Sequence, residues 1–205
     1  FEVLKEQTNQ LGFELYTIAI TELFDRPKIY AYEDDTERFL SFQIAFLNWI
    51  TATKQKPDII HCHDHHTALI PFMAQNCWAY NSLKNTPTIF TIHSAQYQGA
   101  FGAEKITYIP EFDETKSGLL EWNGMINPLA SAVKCAWKIT TVSPSYLDEI
   151  IGYASGLENL LRYEREKWVG ILNGIDTEVW NPASDPMIHY NYNATSFGLG
   201  KNKNK

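Results

Sequence analysis

Four short apolar runs in this chain each end on a polar cluster able to do chemistry, and that pattern constrains the fold more than any other feature. Ile59-Ile60 runs into His61-Cys62-His63-Asp64-His65-His66, and Thr88-Ile89-Phe90-Thr91-Ile92 into His93-Ser94. Ile139-Thr140-Thr141-Val142 runs into Ser143-Pro144-Ser145, and Trp168-Val169-Gly170-Ile171-Leu172 into Asn173-Gly174-Ile175-Asp176. Read as parallel strands, the runs deliver all four clusters to one edge of a sheet, the edge where open α/β folds bind ligands. The expected class is therefore α/β, a Rossmann-like parallel sheet with flanking helices.

Between the runs the period changes. Phe39, Phe42, Phe46, Leu47 and Ile50 recur at helical spacing, with Asp34, Asp35 and Glu37 at the helix start, where negative charge suits the dipole. Leu69, Phe72, Met73, Cys77 and Tyr80 mark a second helix, with Pro71 tolerable only in its first turn. Pro128 to Trp137 reads as a third. Ser143-Pro144 reads as an N-cap followed by a first-turn proline, opening a fourth, and Gly156 to Glu166 as a short fifth. Leu11 to Ile20 alternates as a strand does, and Phe24 to Tyr32, broken by Pro27, reads as a loop or edge strand. Ser94 to Asn127 is long, irregular and rich in glycine and aromatics, which marks a functional stretch with small inserted elements.

Composition narrows the partners. The net charge of −7 offers no electrostatic footprint for nucleic acid. No apolar stretch approaches the roughly 20 residues needed to span a bilayer, so no membrane partner is expected. Cys62, Cys77 and Cys135 are scattered and form neither a zinc knuckle nor a disulfide framework, which suits reduced thiols in a cytoplasmic protein. The start at Phe1 and the polar end from Gly198 to Lys205 read as the cut ends of a larger protein. Residues 1–190 are expected to form one domain and 191–205 a linker.

Each polar cluster has a functional and a plain reading. The histidine cluster invites zinc, but the H-x-H-x-D-H pattern of metallo-β-lactamase-like sites needs its acid one place later, so no metal is expected. His61 reads as a buried, hydrogen-bonded strand-end histidine, while Asp64 and His66 suit polar contacts on a βα loop. His93 ends a strand, and the loop Ser94-Ala95-Gln96-Tyr97-Gln98-Gly99 has the mixture of hydroxyl, amide and aromatic groups that shapes a sugar pocket. Asn173-Gly174 is a tight turn, Ser143 a helix cap. The chain carries no Gly-x-Gly-x-x-Gly fingerprint, P-loop or Gly-x-Ser-x-Gly elbow.

Taken in order, these segments resemble bacterial glycogen synthases and plant starch synthases. The resemblance rests on Pro57 to Leu69, Phe90 to Gly99, Thr140 to Tyr146 and Gly170 to Pro182, with Phe24-Asp25-Arg26, Tyr30 and Arg38-Phe39 upstream. It implies the N-terminal, acceptor-side half of a GT-B glycosyltransferase. A Lys-Thr-Gly-Gly-Leu loop and a nucleotide-holding second domain would lie outside this chain, which would leave it with little or no activity alone. It further implies transfer of glucose from ADP-glucose or UDP-glucose to the non-reducing end of an α-1,4-glucan, with retention and without a metal or other cofactor.

By the same resemblance His93 is catalytic, its main-chain carbonyl stabilising positive charge at the anomeric carbon. Asp64 and His66 match the outer residues of a motif usually written Asp-Trp-His, with His65 in the tryptophan's place. Ser94 stands where relatives carry asparagine. Tyr97, Asn173 and Tyr30 match substrate contacts. The rival readings are a glucan-binding module without catalysis and a metal-dependent hydrolase built on the histidines. Neither the nucleotide, the strand order nor the oligomeric state follows from the sequence. Exposed apolar surface is expected where further strands would cover the sheet.

Overall fold

The computed structural model describes residues 1–198 apart from Asn9, Lys54 and Gln55. It divides into two compact units, Phe1–Ile171 and the segment from Leu172 onward. In the first, β1 (Glu2–Lys5) pairs antiparallel with β2 (Tyr16–Ala19), Val3 opposite Ile18. The strand expected over Leu11–Ile20 is realised only in its second half. Leu11, Phe13 and Leu15 stay exposed in the connection, and alternation that finds no packing partner does not hold a strand. Residues 24–32 form a loop, as expected.

α1 (Asp35–Ala52) starts on Asp35 and Glu37 as expected; of the expected stripe Leu47 is buried and Phe46 and Ile50 pack against the core, joined there by Leu40, Gln43 and Ala45, which the spacing did not single out. Phe39 and Phe42 of that stripe face other partners. Phe42 meets Phe24 of the loop edge-on at 6.2 Å, and Trp49 packs on Tyr16 of β2 at 4.9 Å. Helix α1 is therefore sandwiched, with one side on the core and one against the N-terminal loop and hairpin.

The remaining elements are β3 (Ile60–His63), α2 (Ile70–Asn76), β4 (Thr88–Ile92), β5 (Glu121–Trp122), β6 (Met125–Ile126), α3 (Pro128–Cys135), β7 (Lys138–Thr141), α4 (Pro144–Gly152), α5 (Glu158–Tyr163) and β8 (Trp168–Gly170). The four apolar runs form one sheet in the order β3-β4-β7-β8, every pair parallel. This is the expected α/β architecture. Ile60, Cys62, Phe90, Ile92, Ile139 and Trp168 point to one face and join Phe72, Met73, Leu129 and Val133 of the helices in the core. The alternate residues His61, His63, Lys138 and Val169 are exposed on the opposite face.

Helix ends follow local chemistry. Pro71 lies in the first turn of α2, which stops at Cys77 in extended geometry; the segment through Tyr80 continues as a separate 3-10 turn, Trp78–Leu83. Asn127 caps α3, its side chain accepting from Ala130 N–H, and Ser143 caps α4, accepting from Tyr146 N–H at 2.9 Å. The long stretch after β4 holds two 3-10 segments and the β5–β6 hairpin, which Phe101 and Ile126 stitch down by reciprocal backbone bonds of 2.9 and 3.0 Å. All three cysteines are free and buried, and burial pushes their thiols up to about 12, so they are inert near neutral pH. No helix of the described residues is long and apolar enough to cross a membrane.

The second unit is built of turns. Asp176 Oδ1 accepts from the N–H groups of Glu178 and Val179, and Asn191 Nδ2 donates to the carbonyls of Pro182 and Asp185. Of the segment expected as a linker, 191–198 continues these turns; 199–205 lie outside the described residues.

Candidate active site

The parallel order brings the ends of β3 and β4 side by side, and their polar residues meet there. Asp64 N–H donates to Thr91 O at 3.0 Å, and Asp64 Oδ1 accepts from His93 N–H at 2.8 Å. The carboxylate of one strand end thus holds the backbone of the next. To do so Asp64 adopts φ 54° and ψ −179°, bordering a region nearly reserved for glycine. Such backbone costs on the order of 1–3 kcal/mol and persists where surrounding bonds over-determine it. The next loop is tied in by Ala95 N–H, which donates to the Tyr146 hydroxyl at the start of α4.

Beside these tips opens a cavity of about 540 Å³. Tyr30 comes from the N-terminal loop, Phe39 and Gln43 from α1, and Asp64 and His66 from the turn after β3. Ser94, Tyr97 and Phe101 come from the segment after β4. The His66 ring meets Phe39 edge-on at 4.5 Å and Tyr30 at 5.4 Å. Gly99, at φ +70°, runs so close to His65 that a Cβ there would lie 2.9 Å from the ring.

Arg38 holds the loop that carries Tyr30. Its guanidinium is buried and donates to the carbonyls of Leu23 (2.7 Å) and Ile29 (3.0 Å) and to Asp35, while stacking near Tyr32. Asp35 in turn accepts from Ala31 and Tyr32 N–H, and Arg26 grips Asp34 through both nitrogens. One cavity wall is thereby fastened to the first turn of α1.

His65 and His66 sit half-buried with ring centroids 3.8 Å apart. Desolvation lowers both, His65 to about 4, against the weaker opposing pull of Asp64 and Asp35. Both rings are neutral at pH 7, and Nδ1 of His65 and Nε2 of His66 are buried with no hydrogen-bond partner among the described residues. The pH dependence has a definite sign. His65 titrates lower in the folded chain than its ordinary 6.5, so the unfolded chain takes the proton first as pH falls. Stability is therefore full above pH 6.5 and is lost progressively toward pH 4. The thermal midpoint should drop across that window, and His65→Phe should drop less. Parallel curves for the two proteins would refute the assignment to His65.

Five of the seven sequence-predicted site residues, Tyr30, Asp64, His66, Ser94 and Tyr97, line this one cavity. His93 is joined to it through Asp64 and lies exposed at its margin. Asn173 belongs to the second unit, where it is exposed in an irregular segment; the tight turn expected at Asn173-Gly174 is not formed, and turn structure begins only at Thr177. His61 lies inside β3, exposed rather than buried, and its Nε2 is 2.7 Å from Thr91 Oγ1. The expected burial fails because β3 runs through His63, which places His61 on the outer sheet face. Among the described residues no three histidine, cysteine, aspartate or glutamate side chains converge as a metal site. Sequence reasoning missed Gln43, Phe101 and Pro128 in the cavity wall, and missed His63 as a partner of His93. The signal for the last was present: His61 and His63 alternate on one strand as Thr91 and His93 do on the next.

Comparison with known proteins agrees with this architecture. Residues 1–163 match the family described as starch synthase catalytic domain. The glycogen synthase of Flavobacterium johnsoniae is 58% identical over all 205 residues, which cover 43% of that protein. That of Streptococcus uberis is 38% identical over 93% of this chain and 41% of its own length. The catalytic domain of starch synthase IV from Arabidopsis thaliana, bound to ADP and acarbose, superposes with a TM-score of 0.76 at 32% identity, covering 94% of this chain and 41% of its own. The chain thus spans less than half the length of these relatives. With four-fifths of its length matched and its cavity built from the matched segments, this chain belongs to the starch synthase catalytic-domain family.

Proposed function

We propose that this chain is the acceptor-side half of a retaining glycosyltransferase that moves glucose from ADP-glucose or UDP-glucose to the non-reducing end of an α-1,4-glucan. The observation that carries this reading is the cavity at the strand ends. Tyr30, Phe39, Tyr97 and Phe101 offer ring faces for sugar C–H groups, while Asp64, His66, Ser94 and Gln43 offer hydrogen-bonding edges. ADP and acarbose in the Arabidopsis relative support a nucleotide donor and a glucan-like acceptor.

In this mechanism the backbone of His93 does the electrostatic work. Asp64 fixes its N–H, and no hydrogen bond among the described residues uses its carbonyl, which is left free to face positive charge developing at the anomeric carbon. His66 and Tyr97 orient the glucosyl units. The test is glucose incorporation into glycogen by the full-length protein, with ADP-glucose and UDP-glucose compared and the product anomer read by NMR. Expected are α-linked product and a raised KM for glucan in Tyr97→Ala. Absence of transfer from both donors would overturn the reading, and β-linked product would overturn retention.

A further inference from the structure

We propose that His63 is a positioning residue for His93, fixing the orientation of its ring and coupling its tautomer to its own, which steadies the residue whose carbonyl stays uncommitted. The inference rests on the transferase reading for its catalytic consequence and on geometry alone for the contact. His63 Nδ1 lies 3.1 Å from His93 Nε2, with the rings stacked at 29° and 5.4 Å between centroids. One proton lies between those two nitrogens, so the tautomers are coupled: Nδ1–H on His63 goes with Nδ1–H on His93, and Nε2–H on His93 with Nε2–H on His63. His93 is therefore held twice, at its backbone N–H by Asp64 and at its ring by His63.

The ladder has a fixed foot. The His61 ring stacks under His63 at 4.3 Å and 31°. His61 Nε2 is bonded to Thr91 Oγ1 at 2.7 Å, and Thr91 Oγ1 to Thr140 Oγ1 at 2.6 Å. Thr91 is buried, so the chain of contacts is anchored across β3, β4 and β7. The backbone of His63 is clamped as well, its N–H donating to Thr67 Oγ1 and its carbonyl accepting from the same hydroxyl, both at 2.7 Å. A surface histidine serving only solubility would need neither a clamped backbone nor a ring partner on each side. The groups facing His63 are His61 and His93, which disfavour a second charge, and Asp64, which favours one. Desolvation outweighs Asp64 and keeps His63 neutral at pH 7, the state that a neutral imidazole pair needs.

Two measurements decide it. Imidazole nitrogen NMR of this chain should show scalar coupling between a His93 nitrogen and a His63 nitrogen. In His63→Leu the coupling vanishes, while His63→Asn, whose amide can donate or accept near the Nδ1 position, restores a hydrogen-bond coupling to the His93 ring. In the full-length protein His63→Leu should lower kcat about 10- to 100-fold with KM for glucan little changed, the range of effect associated with an outer-shell orienting group, and His63→Asn should recover most of it. A His93 ring with no coupling to a His63 nitrogen in the unmutated chain overturns the inference, as does full kcat in His63→Leu. If the full-length protein transfers no glucose, the transferase reading fails instead, and the NMR result alone decides whether His63 orients His93.

Discussion

Gly170→Ala should destabilise the first unit by at least about 3 kcal/mol, the upper end of the range for overpacked sites. Gly170 ends β8 where the strand passes beneath the start of α4. A Cβ at that position would collide with Pro144 N, lie 2.5 Å from Pro144 Cα and lie 2.6 Å from Ser143 C. These are backbone atoms, and they cannot rotate away as a side-chain tip can. Ser143 is also the cap of α4, accepting from Tyr146 N–H, so displacing it costs the cap as well, about 1 kcal/mol. The expected result is a lower urea midpoint with an unchanged m-value. Gly152→Ala, where a Cβ meets nothing within 4 Å, is the control and should be near neutral. Equal midpoints for the two variants would show that β8 and α4 can separate without loss.

The second large effect should fall on activity. Asp64→Gly is expected to lower kcat of the full-length protein about 100-fold or more, comparable to losing one group that organises an oxyanion-type site, while folding stability changes by less than about 1 kcal/mol. Two opposed terms explain the second half. Glycine relieves backbone strain of roughly 1–3 kcal/mol at φ 54°, ψ −179°. It forfeits a charge-assisted bond to His93 N–H of comparable size, about 1.5–3 kcal/mol. Asp64→Ala keeps the strain and loses the bond, so it should be the less stable of the two. If Asp64→Gly proved as active as the unmutated enzyme, the carboxylate would not be what holds His93 in place.

The sheet could be read from the sequence because each strand is a short β-branched or aromatic run bounded by polar residues, and parallel pairing followed from the helices between. The tips could be read for the same reason: Asp64 and His93 end neighbouring runs, and neighbouring parallel strands end together. Other features were hidden because their partners are far away in the chain. The apolar positions of α1 have two faces to choose from, and nothing local says that Phe42 and Trp49 turn toward Phe24 and Tyr16 while Leu40 and Leu47 turn to the core. The cavity walls from Gln43 and Phe101 depend on how α1 and the stretch after β4 close over the turn at His65. Leu11–Leu15 alternates without a surface to pack on, and alternation alone does not supply one. His65 shows the limit from another side. A sequence tells that an imidazole replaces an indole, but its depression to about 4 comes from burial beside His66.

The fastening of residues 22–33 by Arg38 has an engineering consequence. That segment is not a strand of the sheet; its geometry is dictated by Arg38 and two aspartates at the head of a helix, with the segment's own Arg26 gripping Asp34. The rim of the cleft is thus a detachable part. Its length and the residue at position 30 can be exchanged to suit broader or narrower ligands, as long as Arg38, Asp34 and Asp35 keep their grip, without redesigning the platform beneath.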